Sequence, residues 1–184
     1  MIAVNERRAG NGKKGSFVEA AAVALVALAM LVACGWSHPA DQELIDRFTR
    51  NRATFELLRD MFIKDAMLGR VAHDFTRPVN FFSGAPMPRS PAITSARLAE
   101  YRRLFTALQL GAGVEGYDAK DFIMFHASTR GLSISGSSKG YVYAEDSPAL
   151  LVDSLDTYNP GHTGSFTVYR HIEGKWYLYY DYEA

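Results

Sequence analysis

The chain has a single cysteine, Cys34, among its 184 residues. No disulfide can close within it, so its fold must be stable without one. That cysteine also ends an apolar run, residues 20–33. What lies before Cys34 and what lies after it therefore answer to different physical demands.

Residues 1–16 carry Arg7, Arg8, Lys13 and Lys14 against one acid, Glu6. A basic start, a short apolar run and small residues before a cleavable bond make the pattern of a secretory signal peptide. A membrane-spanning helix is the rival reading. At about 1.5 Å per residue, the run spans roughly 21 Å, against a hydrocarbon core of about 30 Å. Glu19 makes extension toward the N-terminus costly. The twin arginine at positions 7 and 8 lacks an apolar pair after it, so the Tat route is disfavoured.

Leu31-Val32-Ala33-Cys34 resembles the lipobox of bacterial lipoproteins. The resemblance implies cleavage before Cys34, a diacylglyceryl thioether on its sulfur and an acyl chain on the new amino group. Two or more chains anchor stably where one does not, at about 0.8 kcal/mol per buried methylene. The expected lipidation site is thus Cys34, and the first expected partner is the bilayer itself. Gly35 rather than Asp follows the cysteine. By resemblance to enterobacterial sorting, this implies the periplasmic face of the outer membrane rather than the inner membrane.

The expected organisation is a signal peptide over residues 1–33, a lipidated linker over 34–40 and a single domain over 41–184. Residues 1–33 hold four Lys/Arg and two Asp/Glu of the 20 and 20 in the chain, leaving the remainder near −2. The body has no basic footprint, which excludes nucleic acid as an expected partner and electrostatic attraction of the body to lipid.

Within the body, Pro39, Asp41 and Glu43 suit the start of a helix. Leu44, Phe48, Phe55, Leu58 and Phe62 then recur at helical spacing to about residue 67, with Gly69 as the stop. A strand is expected over 70–76 and an irregular, proline-rich loop over 77–92. Thr94 or Ser95 can cap a second helix, which runs to residue 110 with Leu98, Tyr101, Phe105 and Leu108 on one face. From residue 122 the pattern becomes β: runs at 122–128, 132–136 and 139–145, with residues 136–140 as a hairpin turn. A connector over 146–159 follows, in which Pro148 could open a short helix. Residues 166–172 and 175–182, around Glu173-Gly174, make a tight hairpin. The expected fold is α+β, two amphipathic helices packed on an antiparallel C-terminal sheet. It loosely resembles cystatin-like and NTF2-like architectures. Residues 131–143 with 176–181 also resemble Gram-negative lipoproteins to which no activity attaches.

No catalytic pattern stands in the sequence. Residues 131–135 lack the closing glycine of a nucleophile elbow, and Ser135 misses the spacing to Lys139 by one residue. His38, His73, His126, His162 and His171 form no pair at zinc-ligand spacing, so no metal and no cofactor are expected. Glu115, Asp118 and Asp121 read as a solvated acidic loop. With Glu173-Gly174 as the turn, Arg170 faces Tyr177. Trp176 and Leu178 then point at the helices, and Arg170, Tyr177 and Tyr179 stand on the outer face as a candidate binding surface. The functional expectation is a non-catalytic binding or envelope-support module with an unidentified envelope protein as partner. The alternative is a small periplasmic hydrolase whose residues meet only in three dimensions.

Overall fold

The aromatic stripe from Leu44 to Phe62 does form one helix, α1 (Asp41–Lys64), which kinks at Asn51, whose side-chain amide donates to the Arg47 carbonyl. The computed structural model describes residues 37–79, 93–116, 121–132, 135–161 and 164–184. The chain divides into two units, Met1–Ser37 and His38–Ala184, and the architecture is that of the second. The expected signal peptide, Cys34, Asp118, His162 and residues 80–92 lie outside the described residues.

After α1 come β1 (Leu68–Val71) and β2 (Thr76–Pro78), then α2 (Ser95–Leu108), β3 (Gly113–Gly116), β4 (Phe122–Leu132), β5 (Ser135–Ala144), β6 (Phe166–Glu173) and β7 (Trp176–Glu183). All seven strands join one antiparallel sheet in the order β2-β1-β3-β4-β5-β7-β6. The fold is α+β, with the sheet toward the C-terminus.

Thr94 caps α2 by accepting from the Arg97 N–H, and Gln109 ends it in the left-handed conformation. Both helices lay their apolar stripes on one face of the sheet. Phe48 and Phe55 pack with Phe125, Tyr141 and Trp176 at centroid distances of 4.6–6.3 Å. Tyr101, Leu104, Phe105 and Leu108 close the same core from α2, with Leu98 half-buried beside it.

Five expectations about the fold need correction. Helix α1 stops at Lys64, and Gly69 lies inside β1 rather than ending a helix. The expected strand over 70–76 is a β1–β2 hairpin. Residues 136–140 are not a turn but the first half of β5, paired with β4. Gly140 is required there: a Cβ would meet the Phe125 carbonyl oxygen at 2.1 Å, beside the β4 bulge between His126 and Ser128. The connector before β6 holds no helix, because its backbone is used at the sheet edge. Leu151 bridges Tyr169 in parallel, with the Val152 N–H donating to the Tyr169 carbonyl at 2.8 Å.

The last correction is one of register. Gly174, with φ of +58°, and Lys175 form the hairpin turn, so Glu173 rather than Ile172 starts the pairing, opposite Trp176. A bulge between His171 and Glu173 then sets Arg170 opposite Leu178. A one-residue shift moves every side chain of a strand to the other face. Phe166, Val168 and Arg170 therefore join Trp176 and Leu178 on the helix side, while Thr167, Tyr169 and His171 join Tyr177 and Tyr179.

Candidate functional site

Polar groups converge at two places on the sheet, one on each face of the β4–β5 pair. The first lies at the start of α1. Asp41, only 2% exposed, accepts from Arg170 Nη1 at 2.9 Å, the Leu155 N–H at 2.8 Å and Ser154 Oγ at 3.2 Å. Its other oxygen lies 2.8 Å from Lys139 Nζ, which is 3% exposed and also reaches Asp156 at 2.5 Å. Asp156 in turn accepts from the Asp41 N–H at 2.9 Å, supplying the cap that Ala40 cannot. Burial works against the Asp41 charge. Lys139, the Leu155 N–H and Arg170 outweigh it and hold the carboxyl below its ordinary value.

His38 stands beside this cluster. Its Nδ1 is 2.6 Å from Ser128 Oγ and its Nε2 2.8 Å from Ser137 Oγ, bridging β4 and β5. Partial burial, reinforced by the charges of Arg130 and Lys139, lowers its pKa to about 4. At neutral pH the ring is uncharged, so it donates to one serine and accepts from the other.

The second place is on the opposite face. Glu115 on β3 accepts from Arg70 Nη1 at 3.0 Å and Arg77 Nη2 at 2.9 Å. It is a strand residue gripped by two guanidiniums, which corrects the expected solvated acidic loop. Burial raises its pKa, but His126, Arg70 and Arg77 together bring it below the ordinary value. His126 Nε2 lies 3.4 Å from Glu115. His126 Nδ1 lies 2.6 Å from Tyr179 Oη and 3.2 Å from Ser138 Oγ, and those two hydroxyls are 2.6 Å apart. Desolvation, as the first cause, pushes the Tyr179 phenol upward, so it stays protonated. The row carboxylate–imidazole–hydroxyl thus crosses four strands.

The expected surface residues part company. Tyr177 is 6% exposed and Tyr179 0%, both packed with Val142 and Ala144 in a second apolar cluster. Their placement on an open outer face is overturned, and with it the binding surface they were to form. Arg170 lies on the other face, its side chain spent on Asp41. The register shift is the reason for Arg170; Tyr177 and Tyr179 keep their expected face, which is closed by Val142, Ala144, Phe122, Met124 and Tyr169 packing around them. Trp176 and Leu178 do point at the helices.

Sequence reasoning missed Asp41, Lys139, Asp156, His126 and Ser138 as a set, since their partners sit far apart along the chain. One signal was present. Lys139 shares strand parity with Tyr141 and Tyr143, and a lysine on a core-facing parity needs a buried partner. Apart from these clusters, a groove of about 420 Å³ lies between Lys64–Leu68 and Ile93–Arg97. Among the described residues no three or more His, Cys, Asp or Glu stand together as metal ligands, and no helix is long and apolar enough to cross a membrane. No family model, curated protein or solved structure matches this chain, so the loose architectural likenesses carry no argument about its chemistry.

Proposed function

We propose that the chain is a membrane-anchored lipoprotein on the periplasmic face of the outer membrane, acylated at Cys34. Its body would be a non-catalytic binding or envelope-support module with an envelope protein as partner. The observation that carries this is Leu31-Val32-Ala33-Cys34, closing the apolar run four residues before the body begins at His38. The body supports the non-catalytic reading: the charges it brings together neutralise one another and tie elements in place.

Cys34→Ser tests the anchor. The native protein should incorporate an alkyne fatty acid and partition with membranes. The variant should incorporate none and should appear in the soluble periplasm or as an uncleaved precursor. Unchanged fractionation and unchanged mass in the variant would falsify the anchor.

A second reading, a small hydrolase, draws on the Glu115–His126–Ser138 row, in which an imidazole stands between a carboxylate and a hydroxyl. The Tyr179 phenol competes for the same imidazole nitrogen at shorter distance, which favours a structural role. A fluorophosphonate probe decides: covalent labelling at Ser138 supports the hydrolase, and no labelling ends it.

A further inference from the structure

We infer that the His38 end of the sheet is a docking surface for the lipid bilayer, an inference that rests on the Cys34 anchor. Asp41, the first residue of α1, is tied to Lys139 and Arg170. Past those positions β6 and β7 run on, with rings on the helix-side parity. Phe166 stacks on Tyr182 at 5.6 Å and meets Tyr158 at 5.4 Å and Tyr180 at 5.6 Å. Tyr182 is 36% exposed, and the other three are half-buried. His38 packs edge-on against Tyr180 at 5.6 Å, so the chain enters the body beside these rings.

The entry point is fixed, since His38 is hydrogen-bonded to two strands. Three residues, and so four Cα–Cα steps, separate it from Cys34. At no more than about 3.5 Å per residue, the acylated sulfur lies within roughly 14 Å of that end plus a side-chain length. Nothing so short lets the body turn its far end to the membrane. The surface held there is suited to the headgroup layer, where rings with one apolar and one polar edge are favoured. The contact rests on the rings and not on charge, since Asp181 and the exposed Glu183 stand at the same end of the sheet as Arg130.

The test uses the full, acylated protein in vesicles of phosphatidylethanolamine and phosphatidylglycerol. An acylated Cys34 leaves no other thiol, so one introduced cysteine takes one nitroxide. Thr157→Cys, next to Tyr158, and Asp60→Cys are both exposed positions. Asp60 lies about 29 Å along the helix axis from Asp41, at 1.5 Å per residue. The expected result is oxygen accessibility several-fold higher at position 157 than at 60, with nickel-chelate accessibility reversed. Aqueous behaviour at both positions in vesicle-bound protein overturns the docking and leaves the anchor standing. Lipid contact at both positions overturns the end-on geometry. Nitroxide uptake by the unsubstituted protein, with no vesicle binding, overturns the anchor itself.

Discussion

Asp41 shows how much one carboxylate can organise. Its removal leaves Lys139 buried without a near partner at one oxygen position and frees Arg170, and breaking a buried pair from one side costs about 3–5 kcal/mol. Asp41→Ala should therefore lower the unfolding free energy by that amount at neutral pH, read in equilibrium urea unfolding as a lower midpoint. The sign of the pH effect follows from its depressed pKa. The stabilisation is whole above the ordinary value near 3.8 and is lost as pH falls through the lower folded value. His38 adds a second acid-sensitive term at higher pH. Its folded pKa, about 4, lies below the ordinary 6.5, so its stabilisation is present above 6.5 and drains away between those values. His38→Asn should flatten the change in melting temperature between pH 7 and pH 5. A variant that loses as much stability as the native chain over that interval would show that His38 is not the titrating group.

At the scale of elements, the β4–β5 pair carries both polar clusters and depends on the approach of its backbones. Gly140→Ala would press a Cβ against the Phe125 carbonyl at 2.1 Å and against the Ala127 nitrogen at 2.8 Å. Backbone must move on one strand or the other, at a cost of about 3 kcal/mol or more. Melting of Gly140→Ala beside Ser135→Ala, an exposed position on the same strand, measures it; equal stabilities would mean that the strands tolerate the separation. Helix α1, by contrast, was legible at this scale. Its stripe repeats every three to four residues, and a helix needs only that periodicity to define its buried side.

Among the described residues both faces of the sheet hold a buried apolar cluster: one under α1 and α2, the other of Val142, Ala144, Tyr177 and Tyr179 on β5 and β7. A surface pair would tolerate serine with little change in stability. Here Tyr177→Ser and Tyr179→Ser each open a cavity where a ring stood, and losses of about 3–5 kcal/mol accompany such truncations. Tyr179→Ser also removes the hydroxyl that His126 Nδ1 and Ser138 Oγ share, leaving only their 3.2 Å contact with each other. Calorimetry of the two variants checks this, and melting temperatures within a degree or two of the native chain would contradict the burial.

The sequence by itself determined what depends on near neighbours. Apolar periodicity dictated both helices, and the β-rich second half with its hairpin dictated an antiparallel sheet and the α+β class. The side of β7 that carries Trp176 and Leu178 followed from strand alternation. Three things were decided only in the tertiary structure. The short strands β1 and β3 have too few residues to show a period; they are set by pairing with their neighbours and by burial of Leu68, Val71 and Val114, with Arg70 and Arg77 gripping Glu115 across them. Residues 136–140 look like a turn because glycine and serine serve turns, yet they serve equally where two backbones approach closely. The position of Arg170 rested on a single bulged residue, and strand alternation makes one residue enough to exchange the faces. The candidate sites belong to this last kind. Asp41, Lys139 and Arg170, like Glu115, His126 and Tyr179, come from separate elements, and only the pairing of the strands and the docking of α1 bring them within hydrogen-bond distance.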